Sequence, residues 1–427
     1  MSGVTPEATP EERPTDDVLS RVHREEHSRL LATLVRRFGD LDLAEDAAQE
    51  AMEAALRTWP AQGVPRSPPA WLTTVATRSA LDRVRRDATY ARRLAELHLQ
   101  HGPALAPPAD EGAPSGEDLP DDRLAMLMGC CHPGIAPADR IALMLRFVGS
   151  LSTAEVAQAL LLPTPTLQAR ITRAKKRIAA ARIPLAVPAD PGERERRLPL
   201  VLTAISLIFT AGYSATSGDS LLRRELTAEA IRLARILHRL LPSAEAQGLL
   251  ALMLLTEARS PAREDAEGVP VPLEDQDRSR WDEELIAEGL PLAQAAAARS
   301  DAGRFTIQAA IAAVHAESSR FEDTDWPQIV ALYDLLLARG DDPVVRMNRA
   351  IAAGRAQTPA DGLALLEQLA EEPGLRRHHP FHVALALFRE ELGRTEEAAA
   401  AWHRALDLVG GTAERRFIER RLARHGE

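Results

Sequence analysis

Arg170, Arg173, Lys175, Lys176 and Arg177 crowd into TPTLQARITRAKKRI (164–178), a stretch with no acidic residue. At helical spacing Leu167, Ile171, Ala174 and Ile178 share one face, leaving the opposite side polar. Thr166, Gln168, Arg170 and Arg173 then lie at the start or on the outer face, where their groups suit base edges in a major groove. Lys175, Lys176 and Arg177 follow, placed for phosphates on the flank. The chemistry offered is recognition of a polyanion; the competing reading is a solvated basic face on a structural helix.

The elements that must position these residues are legible nearby. Ser152 and Glu155 in SLSTAEVAQALLL have capping-box spacing, which predicts a helix with Val156, Ala157 and Leu160 inside. LPT breaks it, and Thr164 is expected to cap the next helix with Pro165 at its first position. Helix, short turn, helix is the DNA-binding helix-turn-helix pattern. A second basic run extends from Arg66 to Arg93, with seven arginines against Asp82 and Asp87. In WLTTVATRSALDRVRRD the spacing buries Trp71, Leu72, Val75 and Leu81 and leaves Arg78, Arg83, Arg85 and Arg86 available.

Composition sets the frame. The formal net charge is -10, yet residues 1–187 hold 23 basic and 24 acidic residues, so the acidity belongs mainly to the rest. Low aromatic content (4%) and the absence of sustained strand alternation predict an all-α chain. Residues 1–17 read as a disordered tail, 18–93 as a helical module and 94–122 as a flexible acidic linker rich in Pro, Gly and Ala. Residues 123–187 form the helix-turn-helix module, and 188–427 a longer α-helical domain. Within that domain VALALFREELGRTEEAAAAWHRALDLVG resembles a tetratricopeptide (TPR) unit, with Gly393 at the turn and small Ala384 and Ala398 permitting close contact. A weaker pair is VVRMNRAIAAG with ADGLALLEQLAE.

Three ordered blocks, DLAEDAAQEAMEAALRTW, WLTTVATRSALDRVRRD and DRIALMLRFVGSLSTAEVAQALLLPTPTLQARITRAKKRI, resemble the sigma-70 family of RNA polymerase sigma factors, in its extracytoplasmic-function (ECF) group. The resemblance covers residues 18–187 and makes 18–93 region 2 and 123–187 region 4. It implies that the first block docks on the β′ clamp helices of core RNA polymerase. Ala44, Ala47, Ala48, Ala51 and Ala55 would pack inward, and Asp46, Gln49, Glu50 and Glu53 would face the basic partner. The second block would melt and read the minus-ten element of promoter DNA through Arg78, Arg83, Arg85 and Arg86. The third would read the minus-thirty-five element through Thr166, Gln168, Arg170, Arg173, Lys175, Lys176 and Arg177. Departures from the family pattern are Arg78 in place of asparagine, Leu161 in place of glycine and Pro163 in place of a serine cap. The C-terminal stretches, with CCHPGIAP upstream, resemble the subgroup carrying a fused TPR-like domain. That implies regulation in cis and, as a partner, a small DGGR-motif protein.

Other chemistry is weakly signalled. CCH at 130–132 lacks a second ligand pair for zinc, so no metal is expected. LEDQDRSRWDEE has Arg280 where a calcium loop needs glycine, and reads instead as a charge network or interface anchored by Trp281. No phosphate-cradling or nucleophile-elbow motif occurs, so neither an enzymatic activity nor a cofactor is expected. Adjacent Cys130 and Cys131, an acidic N-terminus and no apolar run of membrane length predict a cytoplasmic protein without membrane contact. Two further readings are a helix-turn-helix regulator with a TPR-type sensor, and a helical scaffold.

Overall fold

The computed structural model describes residues 14–99, 121–160, 162–214 and 222–424. Among the described residues there are eighteen α-helices, three short 3-10 turns and no strand, as the all-α expectation requires. The chain divides into two compact units, Met1–Ala204 and Ile205–Glu427.

The first unit opens with α1 (Pro14–Phe38), α2 (Leu41–Gln62) and α3 (Pro68–Leu99), each packed on the other two. Ala44, Ala47, Ala48, Ala51 and Ala55 are all buried in this bundle. Their missing side-chain bulk brings α2 close to its neighbours, while Asp40 caps its start by accepting from the Leu43 N–H at 3.0 Å. The helix α1 begins at Pro14, inside the expected tail, and α3 continues to Leu99, six residues into the expected linker. LAELHL is made mostly of strong helix formers, which carry the helix past Arg93. The rest of the tail and of the linker lies outside the described residues.

Four short helices complete the module: α4 (Asp122–Cys130), α5 (Pro137–Phe147), α6 (Thr153–Ala159) and α7 (Thr164–Ala180). The predicted capping box is present at α6, with Ser152 accepting from Glu155 N–H at 3.2 Å and Glu155 accepting from Ser152 N–H at 2.7 Å. The α7 start differs from expectation. Pro163 is its N-cap, without a side-chain bond, and Thr164 is already helical. The proline ring holds φ at -62° in extended backbone, so the chain enters the helix one residue earlier. Leu167, Ala174 and Ile178 are buried on the inner face and Ile171 is half-buried. Next comes α8 (Pro191–Tyr213), and the unit boundary falls within it.

The second unit is a succession of helices packed mainly on their sequence neighbours: α9 (Arg224–Leu240), α10 (Ala244–Glu257), α11 (Glu283–Ala297), α12 (Arg304–Glu317), α13 (Trp326–Leu337), α14 (Pro343–Ala356), α15 (Pro359–Glu367), α16 (His379–Glu391), α17 (Thr395–Leu408) and α18 (Thr412–Ala423). Such nearest-neighbour stacking is the organisation of TPR-like helical arrays. The pair expected at 383–410 is α16–α17, turned at Gly393 with φ +71°. Trp402 is fully buried there and donates its indole N–H to Glu390 at 2.6 Å. Gly354 of α14 and Gly362 of α15 meet so closely that a Cβ on Gly354 would lie 2.9 Å from the Gly362 Cα.

One long connection departs from the neighbour rule. Residues 258–282, between α10 and α11, form a strap closed at its base by the Asp282 N–H donating to Ala258 O at 2.8 Å. Asp265 and Glu267 receive Arg420 of α18 at 2.7 and 2.9 Å. Glu274 receives Arg355 of α14 at 2.8 Å. Arg278 donates to His315 O and Ser318 O at 2.8 and 2.7 Å, beside the buried Trp281. The charge network expected around 273–284 is thus a set of cross-ties.

Candidate nucleic-acid and polymerase interface

The two basic helices and the acidic helix all belong to the first unit. On α2, Gln49 and Glu53 are exposed and joined at 3.1 Å, and Leu56, one turn further on, is 54% exposed. These three residues make an outward strip of amide, acid and apolar groups. Asp46 and Glu50 turn partly toward α3. Arg83 pairs with Asp46 at 2.6 Å, and the Ser79 hydroxyl donates to Glu50. The residues expected to face polymerase therefore divide into an outward set and a set engaged by α3.

The arginines of α3 divide likewise. Arg78 and Arg85 line an open cleft of about 470 Å³, together with Arg37 from the end of α1, Thr73, Thr74, Thr77, Leu81 and Asp82. Arg86 is exposed, and its Nε donates to the Asp82 carbonyl at 3.3 Å. Three guanidiniums and three hydroxyls around a cleft suit a sugar–phosphate strand with unstacked bases. Arg37 and the threonines were not expected from sequence. The only signal for Arg37 was the Arg36–Arg37 pair closing a helix, a common pattern for the negative end of the helix dipole. Trp71 is half-buried and meets the Trp59 ring edge-on at 5.5 Å, a packing contact.

On α7, Thr166, Gln168, Arg173 and Lys176 are exposed, and Arg170 is half-buried. Among the described residues neither Arg173 nor Lys176 forms an ion pair, so their charge is available to an outside anion. Arg177 is exposed and donates to Gly134 O at 2.5 Å. Lys175 departs from the expected set. It is turned into the unit, where its ammonium contacts Asp42 and lies 2.6 Å from Glu45 of α2. Burial alone would lower its pKa, but the hydrogen bonds to Asp42 and Glu45 outweigh burial and raise it. Arg146 of α5 also reaches Glu45, at 3.8 Å. A parallel tie joins α1 to α4, where Asp122 accepts from Thr33 at 2.9 Å and pairs with Arg36 at 3.0 Å.

Residues 23–89 match the family description "Sigma-70 region 2", and residues 126–178 match "Sigma-70, region 4". A relative along nearly the whole length is an uncharacterized protein of Rhizobium meliloti (strain 1021), 40% identical over 398 residues, covering 92% of each chain. The chain belongs to the sigma-70 family. As a sigma factor it serves transcription initiation, with core RNA polymerase and promoter DNA as partners, and families of this kind are not enzymes. Its region 2 takes in the C-terminal part of α1, all of α2, and α3 as far as Thr89, and its region 4 runs from within α4 to Ile178 of α7. Residues 197–297 match a third description, "Family of unknown function (DUF6596)", which takes in α9, α10, the strap and α11. The crystal structure of yeast Tom70 is a distant structural neighbour at 11% identity and TM-score 0.31, covering 96% of this chain and 84% of that one.

The remaining signals resolve into packing. Cys130 is fully buried, which pushes its thiol pKa far up, and Cys131 is pushed by burial to about 11. Neither is an available thiolate at neutral pH. Between them and α8, Arg197 donates to Met128 O at 2.8 Å and so satisfies a carbonyl near the end of α4. Among the described residues no three His, Cys, Asp or Glu side chains gather as a metal site requires, and no helix is long and apolar enough to cross a membrane.

Proposed function

We propose that the chain is an ECF-type sigma factor whose outward α2 strip docks on the β′ clamp helices of core polymerase. Gln49 and Glu53 carry that contact, with Asp46 and Glu50 behind them and Leu56 extending the strip. The α1–α3 cleft, with Arg37, Arg78 and Arg85, takes the opened minus-ten strand, and Arg83 and Arg86 flank it. The outer face of α7, with Thr166, Gln168, Arg170, Arg173, Lys176 and Arg177, reads the minus-thirty-five element. The C-terminal unit regulates in cis, with a small DGGR-motif protein as a candidate partner, in the cytoplasm and by binding alone.

The observation that carries this reading is the pairing of an acid-free face on α7 with an arginine-lined cleft on α1–α3, beside an α2 strip that a mere operator-binding regulator does not need. The two DNA elements are separated by about 25 base pairs, or roughly 85 Å at about 3.4 Å per step. A compact body of this unit's size has a radius of gyration of only about 17 Å. Reading both elements at once therefore requires α4–α7 to leave α1–α2, and Lys175 to leave Asp42 and Glu45.

The test is transcription in vitro by the full chain with sigma-free core polymerase, on a promoter from the gene's own neighbourhood. Specific initiation is the expected result. Promoter binding without initiation, with no affinity for core, would replace this reading with a helix-turn-helix regulator carrying a helical sensor.

A further inference from the structure

Half-buried arginines of the C-terminal unit commonly meet a carboxylate, as Arg355 does with Glu274 and Glu391, both at 2.8 Å, and Arg346 with Glu372, also at 2.8 Å. Three half-buried arginines of the strap do not: Arg263 donates to the Tyr213 carbonyl and stacks on that residue's ring, while Arg259 and Arg278 gather at another. Arg278 spends its terminal nitrogens on neutral acceptors: His315 O, Ser318 O and, at 3.1 Å, the Thr324 hydroxyl. The Arg259 side chain forms neither a hydrogen bond nor an ion pair among the described residues. Both guanidiniums stand by the indole of Trp281, at 4.9 Å for Arg278 and 5.7 Å for Arg259.

Donors are left over in the same cluster. Arg259 Nε, Arg278 Nε and Trp281 Nε1 are buried and have no acceptor, and Trp281 as a whole is only 5% exposed. The adjoining His315 also has a buried, unpartnered Nδ1, and its ring is held neutral. Glu322 and Asp323 act on Arg278 from a distance, but Glu322 is paired with Arg320 at 3.4 Å. Two like charges gathered around one buried indole, with three N–H groups unsatisfied, are costly unless an anion compensates them. Oxyanions accept from guanidinium and indole donors at once, through charge-assisted hydrogen bonds.

We propose that the Arg259–Trp281–Arg278 cluster is a binding site for a small oxyanion, the phosphate or carboxylate group of a low-molecular-weight ligand. Half-buried Arg259 is the side of entry, and the strap is the part of the C-terminal unit that the ligand stiffens. A divalent cation is excluded by the sign of the cluster.

The test is thermal unfolding of the full chain in inorganic phosphate and, separately, in succinate, at constant ionic strength held with sodium chloride. The expected result is a Tm that rises with the logarithm of one anion's concentration beyond the chloride control. A response to phosphate alone assigns a phosphorylated ligand, and a response to succinate alone a carboxylate. Arg259→Gln should raise the apparent Kd at least tenfold while melting no lower than the parent without anion, because Arg259 holds no bond and repels Arg278. Trp281→Phe, which keeps the ring and loses the N–H, should weaken the response severalfold. The proposal is overturned if neither anion exceeds the chloride control, or if Arg259→Gln responds as the parent does. Because no polymerase or promoter is present, the outcome is independent of the transcription assay.

Discussion

The ammonium of Lys175 lies 2.6 Å from a carboxylate oxygen of Glu45, tying the recognition helix α7 to the first turns of α2. The lysine side chain is 19% exposed and Glu45 is 24% exposed, so this is a contact in partly excluded solvent. Lys175→Ala should therefore lower stability by about 1.5–3 kcal/mol, the range for hydrogen bonds to charged groups. Arg173→Ala, at an exposed and unpaired position, should leave stability unchanged. Promoter affinity should show the reverse order, with Arg173→Ala losing more than Lys175→Ala. Urea unfolding and electrophoretic shift measurements on the same two variants decide the matter.

Arg37 is the cleft residue that periodicity did not mark. Arg37→Ala should reduce opening of the minus-ten region, read by permanganate reactivity of unpaired thymines, while core binding stays at the parental level. The slope of log affinity against log salt for a single-stranded minus-ten oligonucleotide should shrink by about 0.7, the value for one phosphate contact. An unchanged slope would remove Arg37 from the strand path.

The outward strip of α2 predicts a separate loss. Glu53→Lys and Leu56→Glu both alter exposed positions, so melting should move little. Affinity for core polymerase should fall by about tenfold or more, corresponding to at least about 1.4 kcal/mol. Fluorescence anisotropy with labelled core would show it.

His315 makes acid stability measurable. Burial first, then the neighbouring charges of Arg259 and Arg278, lower its pKa to about 4. The ordinary value in an unfolded chain is about 6.5, so the unfolded state binds the proton more readily. Stability is fully present above pH 6.5 and is lost as pH falls toward 4, by up to about 3 kcal/mol at 1.36 kcal/mol per pH unit. His315→Gln should flatten the unfolding free energy across that interval.

The close approach of α14 and α15 predicts an overpacking loss. A methyl on Gly354 would lie 2.6 Å from the Phe388 ring and 2.9 Å from the Gly362 Cα, which is backbone and cannot swing aside. Gly354→Ala should cost about 1–3 kcal/mol. Gly340→Ala, where an added Cβ meets nothing, supplies the control in the same thermal scan.

Much of this was legible in the sequence because it depends on local chemistry. The alanine stripe of α2, the Ser152–Glu155 box and the apolar face of α7 are set by residues a few positions apart. Arg83, Lys175 and Arg37 were not placed correctly, or not noticed, because their roles depend on which helix lies opposite. A basic side chain at an outer position reads alike whether it faces solvent, DNA or Glu45. The strap was legible only as a charged stretch. Its partners Arg355 and Arg420 lie some 80 and 150 residues away, at separations of 81 and 155, and no spacing rule connects them.

An open helical array can gain or lose a hairpin during evolution and remain an array. This one carries a brace of fixed length, from the end of α10 to Arg420 of α18. Inserting another pair between α14 and α18 would carry Arg420 away from Asp265 while Arg355 still held Glu274. The number of hairpins is thus tied to the length of the strap, and neither can drift without the other.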